Sequence, residues 1–164
     1  MKTIQITALP GDETSRQRCQ TSVLAIVELA HAQMLRLCAL LEEVADSLPA
    51  SIDRRKCMMI ACELEPLVRG IHRFEEETLL PAYERVLEQR GRGRGSVERL
   101  RAEHIEDECF AGELTEALLV LGRDGSVDNP EALGFMLRGF FEAQRRHVAF
   151  EREHVLPEIG CVEA

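Results

Sequence analysis

Apolar residues along this chain recur at three- and four-residue steps in four long stretches, and nowhere do they alternate convincingly as a strand would. The first stretch spans about residues 15–48. Val23, Val27, Met34, Leu35, Cys38 and Leu41 form its stripe, His31 lies on that stripe, and Pro49 ends it. The second begins near Ser51, a suitable N-cap, and runs to about residue 89; Pro66 and Pro81 fall inside it and predict a kink or a break. Beyond a glycine-rich loop, Ser96 can cap a third helix that carries His104 and reaches about Leu121. Asn129 and Pro130 read as N-cap and first residue of a fourth helix, which runs to about Leu156 before Pro157 and Gly160. Four such helices with short connections predict an all-α fold, an up-down-up-down four-helix bundle over residues 15–158. A short N-terminal extension (1–14) and a C-terminal tail (159–164) lie outside it.

Composition adds exclusions. A chain of 164 residues suffices for one domain with one core. There is no uninterrupted apolar run of about eighteen residues, so no membrane span is expected, and the N-terminus lacks a secretory apolar region. A cytoplasmic location is the default. The net charge of −9 argues against nucleic acid as a partner. The run RGRGRG at 90–95 is read as a solvated loop rather than as an arginine-glycine contact to nucleic acid. The six cysteines (Cys19, Cys38, Cys57, Cys62, Cys109, Cys161) include no C-x-x-C pair. They are expected to be reduced thiols, several buried, with a redox role for one as the alternative.

Two stretches carry the chemistry. IHRFEEETLLP places His72 and Glu76 one helical turn apart, and HVAFEREHVLP does the same with His147 and Glu151. His31 and His104 are 73 residues apart, and both His72–His147 and Glu76–Glu151 are 75 apart. The chain therefore reads as two halves, each with one single-histidine helix and one H-x-x-x-E helix. A lone histidine on an apolar face is usually a satisfied core residue. Six converging imidazoles and carboxylates are another matter, because buried charge needs a partner. Nitrogen and oxygen donors without thiolate suit iron or manganese, and carboxylates that can bridge make a dinuclear site the economical interpretation.

With those residues in place, the pattern resembles the hemerythrin family, specifically the bacterial hemerythrin-like HHE cation-binding domains, over about residues 15–158. The resemblance rests on His31, H72-RFE-E76-ETLLP, His104 and H147-VAF-E151-REHVLP. It implies a non-haem di-iron centre, oxo- or hydroxo-bridged, with His31, His72, Glu76, His104, His147 and Glu151 as iron ligands and the two glutamates bridging. It also implies a function of binding or reacting with oxygen, peroxide or nitric oxide, in sensing, in protection against oxidative or nitrosative stress, or in iron-centre repair. The partner it implies is such a small diatomic or peroxide ligand; on charge and composition neither nucleic acid nor membrane is expected, and a homodimer is left open. Oxygen carriers of the family have a second histidine four residues along the third helix, where this chain has Glu108. That departure favours the subset with four histidines and two glutamates, which includes di-iron proteins associated with iron-sulfur cluster repair, although their cysteine-bearing N-terminal domain has no counterpart in this sequence.

Alternatives stay open at this level. E28-LA-H31 and E151-RE-H154 match the E-x-x-H of ferritin-like carboxylate sites, which would mean iron storage or donation, with Glu76 and Glu108 as further carboxylates. A metal that only holds a helical interaction module together is the third class. Glu75 and Glu77 read as a solvated flank that could orient an imidazole, Glu108 and His154 as surface residues or partners of ligands, and Tyr83 as packing rather than a redox neighbour. Since no ligand role falls to sulfur, replacing all six cysteines by Ser or Ala should leave the iron content of the purified protein intact. Loss of iron in a Cys38 or Cys109 single variant would contradict this.

Overall fold

The computed structural model describes the backbone of residues 12–123 and 128–160, with side chains from Val23 onward. Its helices are α1 (Asp12–Ser47), α2 (Arg54–Phe74), α3 (Leu80–Gln89), α4 (Gly95–Gly122), α5 (Pro130–Phe150) and α6 (Leu156–Gly160). Single π-helical turns, Glu75–Leu79 and Glu151–Val155, join α2 to α3 and α5 to α6, so six helices form four continuous rods and no strand occurs among the described residues. Short connections make the rods an up-down-up-down four-helix bundle, as the periodicity predicts. α2 packs chiefly on α4, and α1 on α5.

The prolines do not break the second rod. Pro66 stays inside α2, and Pro81 lies just after the first π-turn, as Pro157 lies just after the second. Proline cannot donate to the helical ladder and crowds the carbonyl four residues back. A turn widened by one residue relieves that strain, and here the amides of Leu80 and Leu156 reach back five residues to the carbonyls of Glu75 and Glu151. The fourth rod accordingly runs past Pro157 to Gly160 rather than ending at Leu156.

Helix starts agree with expectation at one place and differ at two. Asn129 caps α5, its side chain accepting from the Ala132 amide at 2.9 Å. The cap of α2 is Asp53, which accepts from the Lys56 amide at 3.0 Å, so the helix begins two residues later than a Ser51 cap would place it. Ser96 does not cap α4; its hydroxyl donates instead to the Tyr83 hydroxyl at 3.3 Å. The arginine-glycine loop is built as a helix terminus. Gly91 takes φ +63° and the Arg92 amide returns to the Leu87 carbonyl at 2.9 Å, a Schellman closure that favours glycine. Arg90 and Arg92 both pair with Glu158 of α6, and Arg94 with Glu88, which ties the loop to the bundle.

Apolar packing falls into two clusters. One gathers Met34, Leu37, Leu41, Ile60, Leu64, Val68, Leu114, Leu118, Leu137 and Phe140; the other gathers Val27, Leu79, Leu80, Tyr83, Leu100, Val155 and Ile159. Along each rod the histidine falls between the two: His31 between Val27 and Met34, His72 between Val68 and Leu79, His104 between Leu100 and Ala111, His147 between Phe141 and Val155. The apolar clusters thus bracket a polar layer. Residues Val23–Ser47 of α1 do have the length and mean hydropathy (1.6) of a membrane span, which a search for uninterrupted apolar runs overlooks. In the bundle, Val27, Met34, Leu37, Leu41 and Val44 from that segment supply core contacts.

Two outcomes follow from this packing. Leu114 is fully buried, so Leu114→Ala should lower unfolding free energy by about 2–5 kcal/mol, measured by urea denaturation. Cys62 and Cys109 are exposed, whereas Cys38 is buried and burial pushes its thiol up to about 11. Iodoacetamide at pH 8 should therefore label Cys62 and Cys109 in the native protein and reach Cys38 only after unfolding, because the thiolate is the reactive form.

Candidate metal centre

Each rod contributes one imidazole to the polar layer: His31 from α1, His72 from α2, His104 from α4 and His147 from α5. None is more than 6 % exposed. The rings of His72 and His104 stack with centroids 4.1 Å apart, and His147 lies 5.1 Å from His104. Two carboxylates, Glu75 and Glu151, are as deeply buried. His31 Nε2 lies 2.7 Å from Glu151 Oε2, and His104 Nε2 lies 3.2 Å from Glu75 Oε2. His147 Nε2 faces both, at 3.6 Å from Glu151 Oε1 and 3.8 Å from Glu75 Oε2.

Of the six residues expected to converge, the structure brings five together and leaves one at the rim. Glu76 keeps its side chain 38 % exposed, and Glu75, read from sequence as a solvated flank, occupies the buried place. The reason is the π-turn. Glu75 and Glu151 each open such a turn, and each lies six residues before the proline that follows it, Pro81 or Pro157. Measured from the proline, the two halves align Glu75 with Glu151; measured from the histidine, they align Glu76 with Glu151, because the first half is one residue shorter between histidine and proline. The shared E-x-x-x-[LV]-L-P was the signal that identifies Glu75.

Outside the layer lie the other candidates. Glu76 Oε1 is 3.0 Å from His104 Nδ1, and Glu108 Oε1 is 3.4 Å from His72 Nδ1. Glu103, which nothing in the sequence singles out, places Oε2 3.2 Å from His147 Nδ1. Asp107 and Gln144 are also buried, and burial holds the Asp107 carboxyl above its usual range. His154 is exposed against Phe150, and Glu28 is exposed and paired with Arg152, so neither E-x-x-H of the ferritin-like scheme is brought together. Tyr83 is a packing residue with a satisfied hydroxyl.

The electrostatics of the layer are uneven, with His104 and His147 pushed up and His72 pushed down, and the layer is short of hydrogen-bond partners. Burial, helped by His104 and His147, pushes His72 down to about 3, so that imidazole is neutral. Burial alone would also lower His147, but contact with Glu151, together with Glu75 and Glu103, raises it to about 9. Burial likewise works against ionised Glu151, yet His147 and His31 bring it to about 2. Glu75 is held above its usual value by burial. Seven buried polar atoms of the cluster have no hydrogen-bond partner: His31 Nδ1, both nitrogens of His72, Glu75 Oε2, His104 Nε2, His147 Nε2 and Glu151 Oε1. Each such atom costs about 1–3 kcal/mol if nothing receives it. Six of the seven sit on residues of two groups, His72–Glu75–His104 and His31–Glu75–Glu151, in each of which every residue offers one donor atom within 4.8 Å of the others; Glu75 belongs to both, and the seventh atom is His147 Nε2. Lone pairs of neutral imidazole and carboxylate oxygens converging in a dry layer are what a cation of the iron or manganese type accepts.

Comparison with known proteins agrees. The hemerythrin HHE cation-binding domain profile matches residues 22–159. No curated protein and no solved structure matches the chain. Because the profile takes in every helix that supplies the buried layer and covers most of the chain, the protein belongs to the hemerythrin family of HHE cation-binding domains.

Proposed function

We propose that the buried layer holds two iron ions and uses them to bind or react with a small molecule, oxygen, peroxide or nitric oxide, in sensing, protection or iron-centre repair. The observation that carries this reading is the set of orphaned donor atoms in two groups that share Glu75. His72, His104 and Glu75 would hold one ion, His31, Glu75 and Glu151 the other, with His147 facing both carboxylates. Iron in such a donor set supplies a change of oxidation state and a coordination position for a small ligand.

The chain's own residues supply the surroundings. The two apolar clusters keep bulk water from the layer, so the imidazoles and carboxylates are held in place rather than solvated. A cleft of about 420 Å³ between α4 and α5, lined by Glu103, Asp107, Arg146 and Phe150, has His147 in its wall and gives a small molecule a polar approach. Glu108 stands at the rim beside His72, where oxygen carriers have histidine, and this favours reaction over reversible carriage.

Elemental analysis after expression in iron-replete medium should return two metals per chain, predominantly iron. One zinc and no iron would sink the proposal. Glu75→Ala and Glu151→Ala should each reduce iron content by at least one equivalent, whereas Glu108→Ala and His154→Ala should leave it within error. Removing metal with a chelator should lower stability by about 4 kcal/mol for each ion whose free concentration stood at a thousandfold excess over its Kd. The reduced protein should take up nitric oxide or azide, read in its charge-transfer bands, and reoxidise in air; stable oxygenation over many cycles would restore the carrier reading.

A further inference from the structure

We propose that Glu76 and Glu103 are positioning residues of the metal layer, each holding one imidazole by its Nδ1–H so that Nε2 faces inward. The inference rests on the metal-binding reading above and gives Glu76 a different task from the ligand role its spacing implies. The two carboxylates divide their oxygens in the same way. Glu76 places Oε1 3.0 Å from His104 Nδ1 and Oε2 3.6 Å from Arg101 Nε. Glu103 places Oε2 3.2 Å from His147 Nδ1 and Oε1 3.2 Å from Arg99 Nε.

Both arginines come from α4, two residues apart, and each is itself restrained. Arg101 donates through Nη1 to Glu84 at 3.0 Å, and the Arg99 guanidinium lies 4.0 Å over the Phe150 ring. Two Arg–Glu–His chains therefore run from the surface to the layer. A metal ligand must be a neutral imidazole, which has one N–H, so a cation would displace the inner proton of His147, and a carboxylate only accepts. An outer carboxylate on Nδ1 thus sets the tautomer and leaves the Nε2 lone pair for a cation. The inner ends agree, since His104 Nε2 and His147 Nε2 are both buried without a hydrogen-bond partner and both lie within 4 Å of Glu75 Oε2. Among the described residues no carboxylate pairs with His31 Nδ1, which is unpartnered.

Zinc(II) serves as a diamagnetic probe. In zinc-loaded protein labelled with ¹⁵N-histidine, His104 and His147 should show Nδ1–H protons in slow exchange. Glu76→Met should displace the His104 signals and Glu103→Met those of His147. Chelator competition should show zinc bound about 10–100-fold more weakly in each, with the same number of zinc ions per chain as the parent. Glu76→Gln should recover part of the loss, because its amide oxygen still accepts from Nδ1–H. If a methionine variant fails to fold by circular dichroism, Glu76→Gln and Glu103→Gln carry the test through smaller shifts of the same signals. Loss of a whole zinc equivalent in Glu76→Met would make Glu76 a ligand and overturn the inference. Unchanged affinity with unmoved histidine signals would overturn it as well. Failure of the parent protein to bind zinc or iron is a separate result, which defeats the metal-binding reading and this inference with it.

Discussion

The pairing of four imidazoles with two carboxylates in a single dry layer governs the rest of this structure. Ionised carboxylates buried without partners cost several kcal/mol each, and unpartnered imidazole nitrogens add to that cost. The layer is tolerable only if something receives its lone pairs and only if the four rods hold their registers. Apolar clusters on both sides of the layer, with a histidine of every rod between them, supply that register. A helix that slipped by one residue would turn its donor about 100° away from the layer.

The π-turns are the local device that reconciles two demands on the same rods. Each of the second and fourth rods must carry a proline near its distal half and a carboxylate aimed inward six residues earlier. The wide turn lets the rod continue through the proline and sets which glutamate of the run faces the layer. In the second rod, this choice moves the inward position from Glu76 to Glu75 and releases Glu76 to the Nδ1 side of His104. The His104 ring consequently lies between two adjacent glutamates, with Glu75 Oε2 3.2 Å from Nε2 and Glu76 Oε1 3.0 Å from Nδ1.

Helical periodicity made the four rods, the bundle and the four histidines legible, because burial of a stripe depends on spacing alone. Asn129 with Pro130 was legible for the same reason, since a cap and a first-turn proline are local chemistry. Spacing failed where backbone geometry departed from 3.6 residues per turn. An ideal helix cannot distinguish Glu75 from Glu76 relative to His72, and the wide turn decides it. The caps at Asp53 and the loss of Ser96 to Tyr83 depend on which competing acceptor lies nearby, which sequence does not record. Glu103 was invisible because its partner, His147, lies on another rod.

Glu75 is a member of both donor groups, and if each group held a cation, as proposed, that membership would couple their occupancy. A first cation that fixes the Glu75 carboxylate spends the ordering entropy of that side chain once, so a second cation meets a donor already in place. Linkage would make that effect mutual: filling either group would change the affinity of the other by the same factor. Where ordering of the shared carboxylate outweighed repulsion between the ions, loading would tend toward two populations, empty and full, and scarcity of metal would divide the molecules between them rather than leave each half-filled.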